Sequence, residues 1–131
     1  MLVVDASYAV RACGVDGGFE LLRDPDLVAP ALMWSEVRSA LHEATWRGDI
    51  DADDATEALK RLESCPVRSS ADPRLGPTAW EIADELGWAK TYDAEYVALA
   101  RLLGCRVVTL DGRLLRGAAR LGLAVTPGEL S

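Results

Sequence analysis

Four carboxylates, Asp5, Glu36, Asp93 and Asp111, stand where an α/β chain exposes polar chemistry. Asp5 closes the apolar start Met1 to Val4, and Asp111 follows the short apolar run Arg106 to Leu110, so each is expected at the mouth of a buried strand. Asp93 is expected to open a helix, and Glu36 to sit one turn inside another, beside Met33, Val37 and Ala40 on its apolar stripe. An inward glutamate is unusual, because a carboxylate is seldom buried unless it is paired or bound to a cation. Four acids converging at one sheet edge would repel one another and raise their own pKa values unless cations occupied the centre. Donors that are all oxygen, with no histidine or thiolate among them, suit Mg²⁺ or Mn²⁺ rather than zinc. A hard divalent ion held this way activates a water, neutralises a scissile phosphate and stabilises the leaving oxygen, so the chemistry indicated is phosphate-ester cleavage.

Taken singly, each acid has a plainer explanation. Asp5 and Asp93 are both suited to capping helices. Asp111-Gly112 is a turn dipeptide, although the RLLRGAARL that follows has helical rather than strand spacing. Glu36 could pair with Arg38 or Arg101. Only the joint placement carries weight. An aspartyl nucleophile for phosphoryl transfer also begins with an acid at a strand end, but residue 7 is serine where that chemistry wants a second aspartate. His42, the only histidine, lies off its helix's apolar stripe and reads as an exposed residue. Trp34, Trp46, Trp80 and Trp88 read as core or interface anchors, and Arg11, Arg38 and Arg47 as solvated or ion-paired.

The elements that must position these acids follow from periodicity. Apolar runs near residues 2, 27, 106 and 124 read as strands, separated by helices near 6–12, 31–47, 51–62, 78–86, 93–103 and 112–120. Gly48, Gly87 and Gly104 stop helices, Asp51 caps one, and the Thr78 to Glu81 spacing is that of a capping box. The stretch Cys65 to Arg74 is irregular, with room for a brief edge strand between its prolines. Strands alternating with helices require crossover connections, so the fold class is α/β, with a mostly parallel sheet covered on both faces and more helix than strand.

Composition bounds the remainder. A chain of 131 residues, 50% hydrophobic, is expected to form one domain over 1–131. A net charge of −7 argues against coating nucleic acid by bulk electrostatics, so any such contact must be local. Three cysteines without paired spacing suggest neither a disulfide framework nor a zinc site. There is no leader-like or membrane-spanning apolar run, and a cytoplasmic protein is expected.

The series LVVDAS at Asp5, PALMWSEV at Glu36, TYDAEYVALA at Asp93 and VVTLDGRL at Asp111 resembles the PIN domain, and in particular the VapC-type toxins of bacterial toxin–antitoxin systems. The resemblance spans the chain. It implies a three-layer α/β/α sandwich and Mg²⁺-dependent endoribonuclease activity on tRNA or rRNA, with Mn²⁺ as a substitute ion. It also implies a homodimer and inhibition by a VapB-type antitoxin. By the same resemblance Asp5, Glu36, Asp93 and Asp111 hold the metal, with Ser7, Thr91 and Thr109 behind them; Ser7 and Thr109 would orient Asp5 and Asp111. Many relatives carry another acid soon after the fourth, whereas here Asp111 is followed by Gly112 and Arg113. Arg113 and Arg116 are expected as phosphate contacts. The competing reading is a non-catalytic module that binds RNA or protein on the same fold.

Overall fold

The computed structural model describes residues 1–130; the expected domain extends to Ser131, which lies outside them. Strand β1 (Leu2–Val4) is fully buried and is followed by helix α1 (Ala6–Cys13). A short 3-10 turn at Glu20–Leu22 leads to β2 (Leu27–Pro30) and the long helix α2 (Leu32–Trp46). Then come α3 (Ala52–Glu63), β3 (Val67–Ser70), α4 (Leu75–Leu86) and α5 (Tyr92–Leu103). Strand β4 (Arg106–Val108), α6 (Gly112–Ala119) and β5 (Ala124–Val125) complete the order, ahead of a 3-10 turn at Pro127–Leu130.

All the strand pairings are parallel, in the order β3-β2-β1-β4-β5. The chain therefore winds from β1 outward to β3, crosses back, and winds the other way from β4 to β5. Right-handed crossovers in opposite directions put their helices on opposite faces. In accord with this, α1, α2 and α3 pack on one another, while α4 and α5 form a separate pair. The result is an α/β/α sandwich. Val3, Val4, Val28, Val107 and Val108 have no exposed surface and form the sheet's centre, with Met33, Val37 and Leu62 from one helical layer and Val97, Leu99 and Ile82 from the other. Burial of apolar surface on both faces of these short strands is what holds so small a sheet together.

Two local expectations need correction. Helix α4 begins at Leu75, not at Thr78, and Arg74 occupies its cap position without a side-chain bond. Pro77 falls in the first turn, where a missing N–H costs nothing, so the helix runs through it and Thr78 is interior rather than half of a capping box. Asp72 supplies the turn instead, accepting from the Arg74 backbone at 2.9 Å and from its guanidinium at 2.7 and 3.0 Å. Strand β4 ends at Val108, short of Leu110, so Asp111 is carried on a two-residue extension. Among the described residues no helix is long and apolar enough to cross a membrane.

Candidate active site

In an open parallel sheet the strand order reverses at one place, and there the two neighbouring loops diverge to leave a crevice at the strands' carboxyl ends. Here that place lies between β1 and β4, paired from Leu2 opposite Arg106 to Val4 opposite Val108. Asp5 and Asp111 leave the sheet on either side of it. Asp93, in the first turn of α5, and Glu36, in the second turn of α2, are brought to the same edge because both helices start there.

Asp5 is 3% exposed and both of its oxygens are engaged. Its Oδ1 accepts from the Ser7 N–H at 2.5 Å, the Ser7 hydroxyl at 2.6 Å and the Tyr8 N–H at 3.3 Å, and its Oδ2 accepts from the Thr109 hydroxyl at 2.5 Å. It is thus the α1 cap as well as a candidate site acid. Burial pushes its carboxyl above the usual range, opposed by the bonds from Ser7, Thr109 and the backbone. Asp111 likewise caps α6, its Oδ1 accepting from the N–H groups of Arg113 at 2.9 Å and Leu114 at 3.3 Å. Thr109, expected to orient the Asp111 carboxylate, makes no hydrogen bond to it and instead accepts from the Asp111 N–H at 3.0 Å. Ser7 receives the Leu110 N–H at 2.9 Å and lies 3.3 Å from the Thr109 hydroxyl. The two hydroxyls thus orient the Asp5 carboxylate and fix the backbone that delivers Asp111.

Glu36 pairs with neither Arg38 nor Arg101, which instead face Glu63 and Glu85. Its Oε1 accepts from the Tyr96 hydroxyl at 2.5 Å. Burial raises the Glu36 carboxyl, the Tyr96 bond opposes that, and the charges of Asp93, Asp5 and Glu95 raise it further. Asp93 is not a cap, since Thr91 holds that position, without a side-chain bond, and Asp93 lies in the first turn. Its carboxyl is raised by burial, then by Asp111 and Asp5, and lowered by Arg113. These mutual charges put the four acids in one field. Sequence reading passed over Tyr96 and Glu95; the i to i+3 step from Asp93 to Tyr96 puts both on one face of α5, but a tyrosine in an apolar run reads as core.

Among the described residues, no three His, Cys, Asp or Glu side chains stand close enough together to share a metal ion as drawn. Asp5, Glu36 and Asp111 are instead held by their own hydrogen bonds, and the Asp93 carboxylate makes none among the described residues. The donor chemistry fits a hard divalent ion, with carboxylate oxygens throughout, and closing on one requires the side chains to draw inward.

The PIN domain model matches residues 2–120. The chain belongs to the PIN-domain family. This PIN domain is 37% identical over 129 residues to Ribonuclease VapC9 of Mycobacterium tuberculosis and to VapC ribonuclease Mb0985 of Mycobacterium bovis, covering 97% of this chain and 99% of each relative. Ribonuclease VapC1 of Mycobacterium tuberculosis is 34% identical over 118 residues, 86% of either chain. The crystal structure of PAE2754 from Pyrobaculum aerophilum superposes with a TM-score of 0.77 at 28% identity, covering 98% of this PIN domain and 90% of that chain.

Proposed function

We propose that this chain is one PIN domain over residues 1–131 that cleaves RNA endonucleolytically as the toxin of a VapBC-type pair. The observation that carries the reading is the placement of Asp5, Glu36, Asp93 and Asp111 along one edge of the sheet beside the switch point, where burial raises Asp5 and burial with neighbouring carboxylate charge raises Glu36 and Asp93. The curated relatives bear ribonuclease names over nearly the whole of their length, which favours an enzyme over a passive binding module.

In this reading Asp5, Glu36, Asp93 and Asp111 hold Mg²⁺, with Mn²⁺ as a substitute. Bound there, the ion supplies charge neutralisation at the phosphate and an acidified water. The chain's own part is positional: Ser7 and Thr109 fix the Asp5 oxygens, and the Asp111 cap fixes that acid at the N-terminus of α6. Arg113, close enough to Asp93 to lower its carboxyl, is placed to meet a phosphate, and Arg116 follows it on the same helix. The proposed partners are a structured RNA such as tRNA or rRNA, a VapB-type antitoxin and a second copy of the chain, in the cytoplasm. The test is incubation of the purified, partner-free chain with total RNA, in Mg²⁺ and in EDTA, with mapping of the cut ends. Cutting is expected in Mg²⁺ only and is expected to vanish with Asp5→Asn; cleavage that survives that substitution would exclude the site.

A further inference from the structure

Tyr96 is 1% exposed, and its hydroxyl reaches out of the core to Glu36 Oε1 at 2.5 Å. Glu36 belongs to α2 in one helical layer and Tyr96 to α5 in the other, so the bond spans the sheet edge where the acids meet. A phenol in that position is restrained: its ring is buried in the hydrophobic core, and no other hydrogen bond of its hydroxyl occurs among the described residues. A long glutamate side chain has three torsions to fix before it presents an oxygen in one place, and an immobile donor fixes them. Oε2 carries no hydrogen bond among the described residues, which leaves one oxygen directed by the other's anchor. Tyr96 also stands one helical turn beyond Asp93 on α5, so one rigid element sets two of the four acids, Asp93 directly and Glu36 through the phenol.

We propose that Tyr96 is a positioning residue of the metal site, aiming Glu36 at the divalent ion and tying its placement to that of Asp93. The inference rests on the reading of Glu36 as a metal ligand. Groups of this kind, behind a ligand rather than on the ion, commonly change metal affinity by about 10- to 100-fold when removed.

The experiment titrates Mn²⁺ alone into the full chain by calorimetry, with wild type, Tyr96→Phe, Glu36→Gln and the double variant, each also melted in EDTA. Tyr96→Phe keeps the buried ring and is expected to melt cooperatively. Its Mn²⁺ dissociation constant is expected to rise about 10-fold or more, within the range for such groups. Glu36→Gln is expected to weaken binding at least as much, and the double variant no more than Glu36→Gln alone, because Tyr96 acts only through Glu36. Unchanged Mn²⁺ affinity in Tyr96→Phe, or losses that multiply in the double variant, would overturn the positioning role while Glu36 stays a ligand. Unchanged affinity in Glu36→Gln would instead remove Glu36 from the metal site, and the inference with it.

Discussion

Thr109 has no exposed surface, and its hydroxyl serves two strands' ends: it donates to Asp5 Oδ2 and accepts the Asp111 N–H. Thr109→Val keeps the shape and removes both bonds, leaving a buried carboxylate oxygen and a backbone donor short of partners, a loss of about 1–3 kcal/mol. Urea denaturation should register that loss, and RNA cleavage should fall along with it. The acids themselves work against the fold. Burial raises Asp5 and Glu36, and burial with neighbouring charge raises Asp93. Acids whose folded pKa lies above the unfolded value favour the fold when protonated, below about 3.8 for Asp, and lose that contribution as pH rises through the folded value. At pH 7 in EDTA the cluster is therefore a standing cost, and Asp93→Asn should melt higher than wild type, by roughly 0.5–2 kcal/mol, a usual gain from relieving such a site. The advantage should shrink towards pH 4; a variant less stable than wild type at pH 7 would contradict the account. The positions of these candidate ligands were legible in the sequence, Asp5 and Asp111 because acids stand out at the ends of apolar runs, Glu36 because it interrupts a helix's apolar stripe and Asp93 because it stands at a helix start. Tyr96 was not, because a tyrosine inside YVALA looks the same whether its hydroxyl meets water or a carboxylate.

At the scale of elements, the connection after α1 depends on one small residue. Tyr8 of α1 donates to the Gly18 carbonyl at 2.8 Å and sets its ring edge-on to Phe19, centroids 6.4 Å apart. A Cβ on Gly18 would collide with the Ala12 carbonyl oxygen and lie 2.6 Å from its Cα, and backbone cannot move aside as a side chain would. Gly18→Ala is expected to cost about 1–3 kcal/mol, read as a lower urea midpoint at unchanged slope. The two-pronged Arg101 to Glu85 pair between α5 and α4, at 3.0 and 3.1 Å, looks more substantial but lies at the surface. Arg101→Ala should cost less than about 1 kcal/mol, so the glycine outweighs the ion pair. The helices were visible as periodicity and four of the five strands as apolar runs; β3, with the sequence VRSS, was legible only as room for an edge strand inside an irregular stretch. What periodicity missed was the start of α4, because Pro77 reads as a boundary when it sits in a first turn, and the end of β4, because the run reads on to Leu110 although Val108 is the last paired residue.

At the scale of the whole molecule, a chain of net charge −7 must bring an RNA to an edge that carries four carboxylates. Uniform attraction is not available to it, so whatever favours encounter has to be local. Helix α6 is capped by Asp111 and carries Arg113 and Arg116, with Arg120 just after it, all exposed. Their i, i+3 and i+7 spacing puts three guanidinium groups along one side of a helix whose first residue leaves the site. A single strand laid along that side would exchange counterions for arginines one phosphate at a time, and each such contact steepens the fall of affinity with salt by about 0.7 on logarithmic axes. Binding of RNA to the Asp5→Asn form, which does not cut, should thus lose about 0.7 from its salt slope with Arg113→Ala and about as much again when Arg116→Ala is added. Mn²⁺ affinity should change little with Arg116→Ala, which has no acid of the site as a partner. If the slope is the same in all three forms, the arginines of α6 are surface charge alone and the RNA approaches from another side.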